Sequence, residues 1–346
     1  MKGAWFAILF MVILPAATSS LFTTCSGPAE EDQINTNPGF FTSMYSDQPL
    51  KVSLVFDLDS LLYYKASEKE VDGALILKLS PPLVVPVEIS PRGITRKNLC
   101  DFPPLRIQVK KAAIVENHWG DYRNYKLVTH CSDTLSDQEL LFREYIVYKL
   151  YERLSRISLR TQLLQMEYVL PNDTLDRFAI LIENEAEMDN RLGLKALDLE
   201  NSGIKSIHVD HYKRFVLFQY MVGNTDWNMS TGHNTKYVLE ANSNTPIIIP
   251  YDFDYCGLVN ASYARPYATI PISNVRERYL MYRGRKEDDF TSTVQEFLDL
   301  KDDWLELVDG FPHLSAESKG DVRRYLEEFF VIIERADWKE KVFPSG

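Results

Sequence analysis

The chain is poor in the residues that build the commoner catalytic centres. It has 6 histidines in 346 residues. Only His233 falls in the stretch richest in acids and amides, so a hydrolase centred on histidine-bound metal has little to draw on. The four cysteines, Cys25, Cys100, Cys131 and Cys256, make no CxxC pair and no His/Cys spacing of a zinc site. The GxGxxG word that lets backbone approach nucleotide phosphates is missing. Positive charge is scarce: 38 Lys and Arg against 49 Asp and Glu give a net charge of −11, which argues against broad nucleic-acid binding. No internal repeat or low-complexity block occurs. After the first twenty residues no apolar run is long enough to cross a bilayer.

What remains is an ordinary globular composition, 45% apolar and 25% charged, in a chain long enough for two domains or lobes. The N-terminus reads as a signal peptide over residues 1–19. Lys2 supplies the positive end, Ala4 to Ala17 the apolar run, and Ala17-Thr18-Ser19 the small residues for cleavage. The expected location is therefore the periplasm, the cell envelope or the extracellular space. Leu21-Phe22-Thr23-Thr24-Cys25 loosely resembles a bacterial lipobox, so membrane contact is expected only through a lipid anchor at Cys25. Residues 20–47, rich in Ser, Thr, Gly, Pro and acids, read as a linker. Export permits disulfides, and Cys100 and Cys131 flank neighbouring strand segments; free buried cysteines fit as well.

From residue 48 the pattern alternates. Strands are expected at 52–58, 74–79, 84–89, 105–109 and 124–131, then as a pair at 162–169 and 177–183. Arg92, Arg96 and Lys97 flank a turn at Gly93. They suit a phosphate contact, but on local evidence an ordinary solvated basic loop fits better. A helix opens near Ser136-Asp137-Gln138-Glu139 and runs to Leu154, with Glu144 in the middle of its apolar face. A carboxylate there is costly without a partner. Lys126, on the strand before, is the natural one.

Residues 215–260 carry the chemistry. Asn224-Thr225-Asp226, His233-Asn234 and Asp252-Phe253-Asp254 are separated by two apolar runs with strand character, Lys236 to Leu239 and Pro246 to Pro250. An Asp and an Asn on one loop, followed by an Asp at the end of a strand, can hold a divalent metal against phosphate oxygens. Further on, Arg276, Arg278, Arg283 and Arg285 form a basic cluster that recognises an acceptor or balances nearby acids. Residues 286–341 read as two or three amphipathic helices broken at Gly310-Phe311-Pro312.

Taken together, LRIQVKK, YKLVTHC, LFREYIVYKLYERL, AILIENEAE, GNTDWNMSTGHN and PYDFDYCG resemble the atypical kinases of the spore-coat CotH type, and more distantly HipA-like kinases. CDFPPLR, KLVTHC, GNTDW and PYDFD are also similar to words in a group of exported bacterial proteins of unknown role. The resemblance spans about residues 48–285. It implies an α+β, two-lobed protein-kinase-like fold: a strand-rich N-terminal lobe over 48–185, a mostly helical C-terminal lobe over 186–285 and a helical extension over 286–346. It implies ATP with Mg²⁺ or Mn²⁺, and phosphoryl transfer to a protein or small-molecule hydroxyl. Lys126 becomes the phosphate-positioning lysine and Glu144 its partner. Asp226 becomes the catalytic base. Asn234, Asp252 and Asp254 become metal ligands, and Arg92, Arg96 and Glu183 contact the nucleotide. Asp226 and Asn234 lie eight residues apart, where the kinase pattern has about five, so Asn224 stays open as an alternative ligand. Nucleotidyl (AMP) transfer on the same fold, and a non-catalytic pseudokinase-like envelope protein, fit the same residues.

Overall fold

Alternation of apolar and polar residues shapes the first half of the chain. In the computed structural model, β4 (Leu105–Val109) turns Leu105, Ile107 and Val109 into a core and Arg106 and Gln108 outward. The model describes residues 37–67, 69–132, 134–197 and 206–343. The signal-peptide segment and Cys25 lie outside the described residues. The same inward face recurs in β1 (Leu50–Phe56), β2 (Val71–Leu77), β3 (Leu83–Pro91), β5 (Asn124–Val128), β6 (Thr161–Val169) and β7 (Thr174–Ile182).

These seven strands close into a barrel in the order β1-β2-β3-β4-β5-β7-β6. All neighbours are antiparallel except the closing pair, β1 and β6, which run parallel from Leu50 opposite Leu164 to Val55 opposite Val169. Closure leaves no sheet edge to protect. It also corrects the expected two-lobed protein-kinase-like fold. The strand-rich part is a closed barrel, and the unit from Asn35 to Gly346 is one compact body rather than two lobes. Alternation reveals which face of a strand is buried but not which distant strand lies beside it, so the closing pair was invisible in the sequence.

The barrel core includes two residues from the segment read as linker. Phe40 and Phe41 of α1 (Phe40–Met44) are fully buried, with Phe40 set edge-on to Trp119 and Tyr125. Burial of that kind contributes roughly 1.5–3 kcal/mol per side chain. Two short helices follow, α2 (Leu58–Tyr63) and α3 (Thr95–Leu99), and α4 (Lys111–Glu116) precedes β5. A disulfide joins Cys100, at the end of α3, to Cys131 beyond β5. Cys256 is free and buried.

Helix α5 (Leu135–Leu154) packs on the outer face of β6 and β7, where Leu163, Ile180 and Ile182 enter a second core. Its N-cap is Thr134, whose hydroxyl accepts the Asp137 amide, rather than the capping box expected from Ser136. After α6 (Glu185–Leu192) comes a small sheet of order β10-β9-β8, made by β8 (Leu194–Ala196), β9 (Thr235–Glu240) and β10 (Ile247–Pro250). Helix α7 (Val209–Val222) backs β10. The C-terminal helices α8 (Thr291–Asp299), α9 (Lys301–Gly310), α10 (Ala316–Ile333) and α11 (Trp338–Val342) share the same core. The Trp304 indole donates to the Leu150 carbonyl at 3.1 Å, tying α9 to α5. Among the described residues no helix is long and apolar enough to cross a membrane.

Candidate active site

Helix α7 ends at Gly223, in the left-handed region at φ 67. A side chain there would also collide with the Tyr325 hydroxyl, so only glycine makes this turn. The turn delivers Asn224, which is buried and accepts the Asp226 amide on Oδ1 at 2.9 Å. Trp227 locks the loop below: its indole donates to the Asn224 carbonyl at 3.1 Å and its ring meets Phe215 edge-on.

Asp226 points the other way. Its Oδ1 accepts from His233 Nε2 at 3.1 Å and from the Tyr267 hydroxyl at 2.7 Å. Its Oδ2 accepts from Asn234 Nδ2 at 3.0 Å, and the same amide donates to the Asp226 carbonyl at 2.7 Å. The longer loop between Asp226 and Asn234 makes this contact because it folds back on itself. Asn228 and His233 pair as a two-bond bridge, Asn228 Oδ1 caps the Ser230 and Thr231 amides, and Gly232 takes φ 66. The extra residues form a closed turn and leave Asn234 beside the aspartate.

Strand pairing brings in the second acidic group. Thr235 of β9 lies opposite Pro250 of β10, and the Tyr251 amide donates to the Asn234 carbonyl. The chain then enters Asp252 at φ 63, a left-handed conformation that Asp tolerates better than most residues. Helix α5 steadies it: the Asp252 amide donates to the Tyr148 hydroxyl at 2.9 Å, and Phe253 is packed edge-on against the Tyr148 ring. Asp254 is buried and accepts from the Tyr263 hydroxyl at 3.0 Å.

One turn before Tyr148 on α5 stands Glu144, 2% exposed. Its partner is Arg96 Nη1 at 3.6 Å. Burial, then the charge of Asp254, pushes Glu144 up to about 8 against the pull of Arg96. Burial, then Asp252, pushes Asp254 up to about 7, with Arg96 and the Tyr263 hydrogen bond opposing. The acids thus crowd one another more than the nearby cation relieves. Among the described residues, several buried atoms here have no hydrogen-bond partner: Glu144 Oε1, Arg96 Nε, Asn224 Nδ2 and Thr235 Oγ1. Unsatisfied buried groups gathered at one place call for an explanation.

The expected pairing of Lys126 with Glu144 does not form. Lys126 bonds Glu185 at 2.9 Å and lies 4.3 Å above the Tyr251 ring. Glu185 is shared with Lys236 at 2.7 Å. Burial holds Lys126 below the usual lysine range, partly offset by Glu185. Burial would raise Glu185, but the two lysines hold it below the ordinary range. The reason for the exchange is local. Arg96 is brought over Glu144 by α3, where it also donates to the Thr129 carbonyl at 2.6 Å. Arg92 is half-buried, its charge reaches Glu144 and Lys126, and its side chain bonds no described residue. Glu183 stands apart as a structural anchor. Arg191 holds both its oxygens at 2.7 and 2.8 Å, and the Arg160 amide adds a third bond, so its carboxylate ties α6 and the β6 entry together.

The later arginines divide. Arg276 pairs with Asp321 and Arg278 stacks 3.7 Å over the Tyr325 ring, so both hold structure. Sequence reasoning missed Tyr148, Glu185, Lys236, Tyr263 and Tyr267. Tyr148 was findable, four residues after Glu144 on one helix face. The tyrosines at 263 and 267 lie in irregular chain and carry no periodic signal.

A divalent cation fits this arrangement. Asp252 and Asp254 supply hard oxygens where negative charge is in excess. Asn234 turns its nitrogen to Asp226, and no described residue donates to its Oδ1. No group of three or more His, Cys, Asp or Glu gathers as a metal site among the described residues. Magnesium needs none, because it commonly binds through one or two carboxylates together with substrate phosphates.

No family model matches the chain, and no curated protein matches it, so the CotH-type resemblance gains no support there. Among solved structures, it is similar to a crystal structure of the Helicobacter pylori proinflammatory kinase CtkA. The identity is 11%, over 65% of this chain and 89% of that one, with a TM-score of 0.37. A likeness so remote carries no argument about activity.

Proposed function

We propose that this chain transfers a phosphoryl group from ATP to a hydroxyl, with a divalent metal. The observation that carries the reading is the convergence of Asp226, Asn234 and Asp252 through the β9–β10 pairing, beside a patch of cations from Arg92, Arg96 and Lys126. Asp226 is the base for the acceptor hydroxyl. It is held by Asn234 on Oδ2, while Oδ1 takes hydrogen bonds from His233 and the Tyr267 hydroxyl. Asn234 and Asp252, with Asp254 behind them, would hold Mg²⁺ or Mn²⁺; bound there, the metal would neutralise phosphate charge. Arg92, Arg96 and Lys126 face the phosphates in place of a glycine-rich loop. Catalysis is then mostly positioning and charge compensation. The nucleotide and a protein or small-molecule acceptor are the partners of this reading, and the exported location expected from residues 1–19 goes with it.

The test is transfer of label from γ-labelled ATP in Mg²⁺ or Mn²⁺, with the product weighed by mass spectrometry. Gain of one phosphoryl group, lost in Asp252→Ala, supports the reading. Gain of AMP would redirect it to nucleotidyl transfer, and undiminished transfer by Asp252→Ala would sink it.

A further inference from the structure

The Tyr267 hydroxyl occupies the place that an acceptor hydroxyl must take. It donates to Asp226 Oδ1 at 2.7 Å, within the reach a base needs to remove a proton. The residue is 52% exposed, in the irregular chain between Tyr251 and Phe290. This chain crosses the acids twice. Tyr263 donates to Asp254 at 3.0 Å and is half-buried, and Tyr267 follows four residues later over Asp226. Ala264 is buried between them.

We infer that Tyr267 is an internal acceptor, phosphorylated in cis by the site it covers. The inference rests on the phosphoryl-transfer reading. In the step, Asp226 takes the phenolic proton while Tyr267 Oη attacks the γ-phosphorus of the nucleoside triphosphate. The Oη–P bond forms, the bond from phosphorus to the β,γ-bridging oxygen breaks, and nucleoside diphosphate leaves with that electron pair. The proton rests on the Asp226 carboxylate until solvent removes it. Burial, then the bond to Asp226, pushes the Tyr267 phenol up to about 12, so it reaches the base protonated. The product carries close to two negative charges beside Asp226 and is repelled from it. Modification thereby uncovers the base for an outside hydroxyl.

The experiment incubates the full chain with ATP and Mg²⁺ and follows ADP release together with peptide mapping of phosphotyrosine. Tyr267→Phe, which keeps the ring, is the control. The expected result is one phosphate on Tyr267, formed at a rate per molecule independent of protein concentration and lost in Tyr267→Phe. ADP release with Tyr267 unmodified would overturn this inference and leave the phosphoryl-transfer reading standing. A rate that rises with protein concentration would overturn transfer in cis. Neither ADP nor phosphotyrosine would overturn the inference, and transfer to an added acceptor hydroxyl then decides the underlying reading separately.

Discussion

Arg96 of α3 reaches Glu144 of α5, Nη1 to Oε2 at 3.6 Å, in the place where Lys126 is the partner expected from sequence. Both residues are nearly shielded from water, with side chains 12% and 2% exposed. A buried carboxylate losing its cation costs up to about 3–5 kcal/mol. Glu144 can take a proton, which lowers that cost. Arg96→Gln should therefore destabilise the protein by roughly 2 kcal/mol, read from urea unfolding. Lys126→Gln removes a more exposed pair and should cost under about 1 kcal/mol. A double-mutant cycle of Arg96→Gln with Glu144→Gln should show a coupling on the order of 1 kcal/mol. Additive effects would mean the pair does not interact.

Stability should depend on pH through Glu144. Its carboxyl, raised to about 8 by burial and Asp254, holds a proton in the folded protein that the unfolded chain has released above its ordinary range. The folded state binds more protons in that window, so stability falls as pH rises. Its contribution is full below about pH 4 and is lost as pH passes through about 8. Unfolding midpoints of wild type and Glu144→Gln, measured from pH 5 to 8, should diverge, with wild type losing stability relative to the variant. Parallel profiles would contradict the assignment.

Asn234→Ala removes two hydrogen bonds to Asp226. At about 1 kcal/mol net for each, the variant should unfold about 1–2 kcal/mol more easily. It should also bind nucleotide more weakly in Mg²⁺ than without metal relative to wild type, a difference calorimetry resolves. Unchanged metal dependence would move the ligand role from Asn234 to Asp254.

The disulfide between Cys100 and Cys131 spans a separation of 31 residues. Chain-entropy reasoning puts its contribution at about 3.7 kcal/mol. It also fixes the end of α3, and so the helix that carries Arg96. Reductant should lower the unfolding free energy from urea titration by that amount, with a lower midpoint, and Cys100→Ser should lower both with or without reductant. An unchanged midpoint would show that the bridge contributes nothing.

Much of the chain was legible because its signals are local. Alternation placed β4 at Leu105–Val109, and helical periodicity put Glu144 on a buried face. Two short apolar runs marked β9 and β10, while the pairing that brings their acid-bearing loops together is seen only in the structure. What sequence could not carry was non-local. Nothing in Leu50–Phe56 names β6 as its neighbour, so barrel closure was missed. Nothing near Glu144 says that Arg96, rather than the closer Lys126, will lie over it. Phe40 and Phe41 sat in a polar stretch, and only the barrel they fill explains their burial.

The central claim is that the Asp226–Asn234–Asp252 group receives a metal-bound nucleotide. Calorimetric titration of a non-hydrolysable ATP analogue, with and without Mg²⁺, tests it most directly. Wild type should bind with an affinity that Mg²⁺ strengthens by tenfold or more, about 1.4 kcal/mol. Asp252→Ala should lose that strengthening while staying folded. Binding indifferent to Mg²⁺, or an Asp252→Ala variant that keeps the full metal effect, would contradict the account.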